Sequence, residues 1–233
     1  MAELLRLEGL TAGYGDSVVI EEVSASVAEG EPVALLGRNG VGKSTLLATI
    51  MGFTRLHGGA LRWSGADISR ATSHSRARGG IGWVPQERLM WRSLTVREHL
   101  ACVARRGPWT VARVESLFPR LSERRDHRGT QLSGGEQQML AIARALVTNP
   151  KMLLLDEPME GLAPIVVQEL AEILRGLARE ASMAMVLVEQ HAELALSLTQ
   201  RAVVMERGRV VHDGPSAALA ADRASLDRWL AVS

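Results

Sequence analysis

The sequence has 233 residues, of which 46% are hydrophobic and 23% are charged. These proportions are typical of a globular α/β chain with a sizeable core, and they exclude a disordered, collagen-like or disulfide-dense protein. The formal net charge of +1 gives no bulk reason to bind nucleic acid or an acidic membrane. The single cysteine, Cys102, cannot form an internal disulfide, which favours a reducing compartment. No apolar run is long enough for a membrane helix, so we expect a soluble chain.

The first half of the chain contains one clear strand–loop–helix unit. Val33–Leu36 is a fully apolar run, typical of a strand buried on both faces of a parallel sheet. Lys43–Met51 has the pattern of a helix, and Gly52 ends it. Before this unit, Leu4–Leu10 predicts a short strand and Val18–Val27 a pair of alternating segments.

The rest of the chain alternates between helical and apolar strand patterns. Residues 53–85 are rich in glycine and are predicted to be irregular, whereas residues 93–128 have helix-like spacing broken near Gly107-Pro108 and Pro119. The remaining predicted elements are a helix at 133–147, a strand at 152–155, a helix at 166–180, a strand at 183–188, a helix at 193–198 and a hairpin around Gly208.

Residues 37–44 match the phosphate-binding pattern G-x-x-x-x-G-K-[ST] at every fixed place, between the predicted strand and helix. Glycines let successive backbone N–H groups point at phosphate oxygens at the start of a helix. Lys43 supplies a point charge for the β and γ phosphates, and Ser44 a hydroxyl for Mg²⁺. The segment therefore predicts a nucleoside triphosphate site, formed by Gly37, Arg38, Asn39, Gly40, Val41, Gly42, Lys43, Ser44 and Thr45.

Two carboxylates, Asp156 and Glu157, end the apolar strand predicted at 152–155. The carboxyl ends of parallel strands are where α/β sheets build their sites. Asp156 is placed to hold the metal or its water, and Glu157 to polarise a water for in-line attack on the γ-phosphoryl group. Asp-Glu-Pro is also a common start of a turn. Because the chain also contains a complete phosphate loop, we favour the interpretation that the two carboxylates act on the nucleotide.

The signature segment, residues 132–137, reads Leu-Ser-Gly-Gly-Glu-Gln. Ser133 and Glu136 have the spacing of a capping box, so a helix is predicted to begin at Ser133. Two glycines at a helix start cost stability, which indicates that something approaches the backbone closely. One chain already has a phosphate loop for its own nucleotide. We therefore expect a partner subunit's nucleotide to contact Ser133, Gly134, Gly135, Glu136 and Gln137.

With these motifs in this order, the chain resembles the ATP-binding cassette (ABC) ATPases over nearly its whole length. The resemblance implies a phosphate-loop NTPase fold of the α/β class, with a RecA-like mixed or parallel core sheet, an N-terminal antiparallel β subdomain and an inserted α-helical subdomain at about residues 87–130. It also implies that residues 1–233 form one ATP-binding domain that hydrolyses ATP.

The resemblance assigns further roles. Tyr14, the only tyrosine, sits where an aromatic ring stacks on adenine. Gln86 is expected to reach Mg²⁺ and the attacking water, so the implied metal ligands are Ser44, Gln86 and Asp156.

The chain also departs from the family pattern in two places. The family's γ-phosphate-sensing histidine corresponds either to Gln190, which we favour, or to His191. Many relatives have Ser-x-x-Leu-Asp after the acidic strand, whereas this chain has Ala163 in place of the aspartate. That substitution puts communication between the two sites through this residue in doubt.

Segments such as Gly161-Leu162-Ala163-Pro164 and Leu187-Val188-Glu189-Gln190 are similar to those of branched-chain amino acid importer ATPases, and Glu160 to the urea and short-amide branch. The resemblance implies ATP and Mg²⁺ as cofactors, a second cassette (the same or a sister chain), integral membrane permeases, indirectly a periplasmic solute-binding protein, and no nucleic acid. It places the protein peripherally on the cytoplasmic face of the inner (plasma) membrane.

A candidate docking surface for a permease comprises Leu89, Met90, Trp91 and Leu94, although core packing explains the same residues equally well. Two rival functions are a soluble cassette acting on nucleic acid or ribosomes and a non-catalytic nucleotide sensor. The first predicts a long insertion or a basic surface, which the sequence lacks. The intact Lys43, Asp156 and Glu157 argue against the second.

Overall fold

The structure is a computed structural model that describes residues 2–180 and 183–230. Within these ranges the strands are β1 Glu3–Tyr14, β2 Ser17–Ala28, β3 Pro32–Leu36, β4 Arg55–Trp63, β5 Ala66–Asp67, β6 Ile81–Val84, β7 Met152–Asp156, β8 Ala184–Val188, β9 Arg201–Glu206 and β10 Arg209–Pro215. The helices are α1 Lys43–Met51, α2 Ser73–Arg78, α3 Val96–Ala101, α4 Val111–Leu117, α5 Pro119–Glu123, α6 Gly134–Leu146, α7 Pro164–Arg179, α8 Ala192–Leu198, α9 Ser216–Ala221 and α10 Arg223–Leu230.

The strands form two sheets. Four strands pair in the antiparallel order β2-β1-β4-β5. Six strands pair in the order β10-β9-β3-β8-β7-β6, parallel throughout except for the antiparallel edge strand β10. The predicted fold class, a mixed core sheet of the α/β type with an antiparallel N-terminal sheet, is therefore confirmed.

The three central strands of the larger sheet, β3, β7 and β8, are buried at every position. One hydrophobic cluster packs on one face, against α6, α7 and α8, and a second lies on the other face with α1 and the four-stranded sheet. A strand covered on both faces has no polar side to alternate, which explains the continuous apolar runs in the sequence. The carboxyl ends of these strands meet at one edge, where the candidate site lies.

The prediction that residues 53–85 are irregular is wrong, because this segment contains β4, β5, α2 and β6. Two adjacent glycines, Gly58 and Gly59, interrupt the alternation of polar and apolar residues in β4, so the sequence pattern does not indicate a strand. The predicted break in Val18–Val27 is also wrong, since β2 is one strand of 12 residues. Its pairing with β1 has several register irregularities, which blur the two-residue period.

The helical predictions agree closely with the structure. Helix α1 spans the predicted residues, and α6 begins after Ser133 and ends at Leu146, with Val147 as its C-cap. Three short helices, α3 to α5, fall between residues 96 and 123, separated at the predicted breaks. The two C-terminal helices α9 and α10 were not expected. None of the helices in the described part of the chain is both long and apolar enough to span a membrane.

Candidate active site

The phosphate loop connects β3 to α1 and leaves the start of that helix open. Gly42, the N-cap residue, has φ +106°, and a Cβ there would lie 2.9 Å from the Cγ2 atom of Ile20, so only glycine fits without strain. Helix α1 has no side-chain cap and no acidic residue in its first turn. Its first N–H groups and the positive end of its dipole therefore suit a phosphate.

Lys43 is held at this loop by its own backbone. The side chain is only 4% exposed, and its Nζ donates hydrogen bonds to the carbonyl oxygens of Gly37 at 2.8 Å and Arg38 at 3.0 Å. Nζ also lies 3.9 Å from Oε1 of Glu157. Burial lowers the pKa of Lys43, while the carboxylates of Glu157, Asp156 and Glu189 oppose that shift. The lysine thus provides a cation at the centre of the site.

Asp156 ends β7 beside the first turn of α1. Its Oδ1 accepts a hydrogen bond of 3.0 Å from the Ser44 hydroxyl. Burial raises the pKa of Asp156 to about 6, the Ser44 bond opposes this, and Glu157 adds to it. A buried carboxylate beside a hydroxyl is a set of hard oxygen donors that suits Mg²⁺, so these two residues fit the implied metal. The third implied ligand, Gln86, donates from Nε2 to the Glu160 carboxylate.

Glu157 is fixed by contacts to the neighbouring strand. It has a positive φ of +47°, and its N–H donates to the Val188 carbonyl at 3.0 Å. Its Oε2 accepts a 2.7 Å hydrogen bond from Nε2 of Gln190. His191 is instead the exposed N-cap residue of α8, and its side chain makes no capping bond. Of the two candidate γ-phosphate sensors, the structure brings Gln190 to Glu157.

A further acidic residue, Glu189, was missed by the sequence reasoning. It is 2% exposed, and its Oε1 accepts the Met159 N–H at 3.1 Å. Burial raises the pKa of Glu189 to about 7, opposed by the backbone hydrogen bonds of Met159 and Gln190. The sequence does contain a signal for Glu189, because it directly follows the apolar strand β8 just as Glu157 directly follows β7.

The signature segment lies at the start of α6. The Ser133 hydroxyl accepts the Glu136 N–H at 3.3 Å, and the Glu136 carboxylate accepts the Ser133 N–H at 2.8 Å, which is the predicted capping box. Glu136 also pairs with Arg124 at 2.8 Å, and Gln137 donates to the Gly129 carbonyl. The side chains of these two residues are therefore already engaged within the chain. None of the described residues accepts a hydrogen bond from the N–H groups of Gly134 and Gly135.

The remaining predicted residues lie around the site. Tyr14 ends β1 with its side chain 54% exposed, opposite Ser17 of β2, the strand that packs on the phosphate loop through Ile20. Thr45 is buried in α1, and Ala163 is the N-cap residue of α7, with no side-chain cap. Within the described residues, hydrogen bonds and ion pairs join the phosphate loop to the acidic strand end, but none joins either of them to the signature segment.

The strand, the open loop and helix start, the buried lysine and the acidic strand end define a phosphate-loop nucleoside triphosphatase. A family model described as "ABC transporter" matches residues 20–160. The chain belongs to this family, as an ATP-binding ATPase subunit whose hydrolysis of ATP is coupled to transport.

Curated relatives and solved structures agree with this assignment. Over 232 residues the chain is 42% identical to the high-affinity branched-chain amino acid transport ATP-binding protein BraG of Pseudomonas aeruginosa, covering 97% of this chain and 99% of that protein. It is 35% identical over 217 residues to the lipopolysaccharide export system ATP-binding protein LptB of Escherichia coli K12, covering 90% of each. A crystal structure of the ADP conformation of an ATP-binding cassette superposes with a TM-score of 0.81 at 25% identity, covering 97% of this chain and 98% of that one.

Proposed function

We propose that this chain is the ATPase subunit of an importer and that it works as one of two cassettes facing head to tail. Each ATP would lie between the phosphate loop of one cassette and Ser133–Gln137 of the other. One observation carries the proposal: Lys43, Ser44, Asp156 and Glu157 contact one another within the chain. The start of α6, which also offers N–H groups to an anion, shares no hydrogen bond with them among the described residues.

The proposed residue roles follow from the contacts. The N–H groups at the start of α1 and the Lys43 ammonium bind the β and γ phosphates, replacing the carbonyl contacts of the lysine. Ser44, Asp156 and Gln86 would hold Mg²⁺, which when bound neutralises charge on the phosphates. Glu157 accepts a proton from the attacking water, and the Gln190 amide orients the Glu157 carboxylate. The exposed Tyr14 ring stacks on the adenine.

The candidate substrates depend on different observations. The name of the relative at 42% identity refers to branched-chain amino acid transport, so import of branched-chain amino acids is our proposal. Uptake of urea or short amides is the alternative raised by Glu160. A second candidate function is export of a lipopolysaccharide, because relatives named for that process are up to 36% identical over 220 residues. Uptake of labelled leucine and of labelled urea by cells with and without the wild-type chain separates the two import candidates.

We propose that a permease segment docks beside the loop that carries Gln86. Leu89, Trp91 and Phe53 are 65%, 47% and 56% exposed, and they line one cavity of about 430 Å³ that also includes Trp83. Exposed apolar groups gathered around one concave surface are typical of a partner site. Met90 packs instead against the core, whereas Leu94 is half-buried and belongs to neither group. This docking would place the protein on the cytoplasmic face of the inner membrane.

The closed dimer is tested with Glu157→Gln. The amide keeps the shape of the side chain but cannot accept the proton, so we expect ATP binding to be retained and turnover to fall at least about 100-fold. Molar mass measured by light scattering should double when ATP is added to the variant. Glu180→Gln, which alters an exposed glutamate paired with Arg113, is the control. Undiminished turnover in the Glu157 variant would remove this residue as the base.

A further inference from the structure

The segment that follows Gln86 makes side-chain contacts to two other motifs. Gln86 donates from Nε2 to the Glu160 carboxylate, which lies in the turn after the acidic strand. Two residues later, the Arg88 guanidinium donates to the backbone carbonyl of Glu160 at 3.3 Å. The same guanidinium donates through Nε to the side-chain oxygen of Gln138 in α6 at 3.2 Å. We call these four residues, Gln86, Arg88, Gln138 and Glu160, the latch.

Each end of the latch is anchored close to a functional group. The Glu160 N–H donates to the Glu157 carbonyl at 3.2 Å, so the turn that carries Glu160 starts at the proposed base. At the other end, Gln138 is 2% exposed and lies one turn inside the helix that begins with the signature segment. The latch thus connects Glu157, Gln86 and the start of α6 through contacts within one chain.

The position of the Arg88 side chain also explains one signature glycine. A Cβ atom at Gly134 would lie 2.9 Å from Nη1 of Arg88. The absence of a side chain at the start of α6 therefore lets the guanidinium lie against it. The backbone of the same segment is tied to α6, because the Arg144 guanidinium donates to the carbonyls of Arg88 at 3.2 Å and Leu89 at 3.0 Å.

We propose that Glu160 and Arg88 are positioning residues for ATP hydrolysis. They hold Gln86 and the start of α6 at fixed positions relative to Glu157. The proposal depends on the function proposed above for Glu157 and Gln86. A hydrogen bond from an amide N–H to a carboxylate is stronger than one between two neutral groups. The Glu160 carboxylate therefore fixes the orientation of the Gln86 amide, with Nε2 facing Glu160. A planar guanidinium contacts two carbonyl oxygens at once, which the single ammonium of a lysine does not reproduce.

The latch is tested by a double-mutant cycle on the full-length chain with Q86A, E160A and both together. Turnover number, KM for ATP, affinity for a fluorescent ATP analogue and melting temperature are measured for each variant. We expect E160A to lower the turnover number about tenfold, with analogue affinity and melting temperature close to wild type. The double variant should be no slower than Q86A alone, because each substitution breaks the same contact between Gln86 and Glu160. E160Q, which keeps an acceptor oxygen, should recover most of the rate.

A second pair of variants tests Arg88 itself. R88A should slow turnover about as much as E160A does, and R88K should not restore it. The double variant R120A/E169A removes an ion pair of 3.1 Å between α5 and α7, and it should turn over like wild type.

Full additivity of E160A and Q86A, wild-type turnover in E160A, or activity losses that only follow the melting temperature would each overturn the latch. Failure of the proposed function gives a different result, since E157Q would then turn over like wild type in the same assay.

Discussion

Two helix starts in this chain look alike in sequence but differ in how their N–H groups are used. Helix α1 begins after Gly42 with no side-chain cap, so its first N–H groups are open to a ligand. Helix α6 begins after Ser133, and its capping box already occupies the Ser133 hydroxyl and the Glu136 N–H. Among the residues that the structure describes, none accepts a hydrogen bond from the N–H groups of Gly134 and Gly135. The start of α1 can therefore bind a phosphate without breaking a hydrogen bond within the chain. At the start of α6, the Ser133 hydroxyl has to release the Glu136 N–H before that N–H can bind a phosphate.

The same two regions also differ in buried charge. Around α1, one lysine faces three acidic residues, Asp156, Glu157 and Glu189, and each of the four is at most 9% exposed. At α6 the single buried carboxylate, Glu136, has its own cation in Arg124. The first region therefore carries unbalanced charge that a bound nucleotide and cation rearrange, while the second is balanced within the chain.

The largest expected effect comes from Lys43→Ala, which removes the only cation of the buried group at α1. We expect affinity for ATP in a single chain to fall at least about 100-fold, since hydrogen bonds to a charged group are lost in a buried site. Binding of a fluorescent ATP analogue measures the change. Lys151→Ala is the matched control, because Lys151 is the only other lysine and is exposed. Equal affinity in the two variants would show that α1 is not the phosphate site.

The next largest effect distinguishes the roles of Gln190 and His191, which follow β8 and Glu189. Gln190→Ala removes the 2.7 Å hydrogen bond to Glu157, and we expect single-turnover hydrolysis to slow about 30-fold with ATP affinity retained. His191→Ala should change the rate less than about twofold, as for an exposed residue outside the contact network. A reversed order of the two rates would assign the role to His191.

A smaller effect is expected at the self-capped helix. Ser133→Ala should leave ATP binding to a single chain unchanged, lower turnover about tenfold and cost about 1 kcal/mol of stability through the lost cap. Thr95→Ala breaks a second capping box, Thr95–Glu98 on α3, and should cost similar stability without the loss of turnover. Loss of monomer ATP binding in the Ser133 variant would contradict a site shared between two chains.

The sequence predicted the elements whose signal is local. The apolar runs of β3, β7 and β8 and the capped start of α6 depend on neighbouring residues, so they were placed within one or two positions. Strand β4 was missed because its glycines and polar residues are held by pairing with β1, and 40 residues separate the end of β1 from the start of β4. Such a strand is specified by its partner rather than by its own pattern.

The site shows the same difference between residues that a local motif predicts and contacts between distant parts of the sequence. Lys43, Ser44, Asp156 and Glu157 follow from two motifs, and the structure adds only their distances. The choice between Gln190 and His191 needed the direction of adjacent side chains after a strand end, which spacing does not give. The contacts of Arg88 with Gln138 and Glu160 join residues 50 and 72 positions apart in the sequence, and no local pattern indicates them.

The pH dependence of stability should run in opposite directions in the two regions. In wild type, the pKa of Glu189 rises from 4.5 unfolded to about 7 folded, so the folded chain binds the proton more tightly. Stability is then lost as the pH rises from 4.5 to 7, by on the order of 3 kcal/mol in full. Glu189→Gln keeps an acceptor for the Met159 N–H and carries no charge. Its melting temperature without nucleotide should match wild type near pH 4.5 and exceed it by several degrees at pH 8.

Glu136→Gln should show the opposite dependence. Burial alone would raise the pKa of Glu136, but hydrogen bonds with Ser133 and the charge of Arg124 outweigh it, and the pKa is lowered. The ionised carboxylate therefore stabilises the folded chain above the unfolded pKa, and this contribution is lost as the pH falls through the folded value. The variant should melt below wild type at pH 7 and approach it in acid. If both glutamine variants shifted the melting curve in the same direction at pH 8, the contrast between an unbalanced nucleotide site and a self-balanced signature helix would be wrong. The two helix starts would then differ only in their caps.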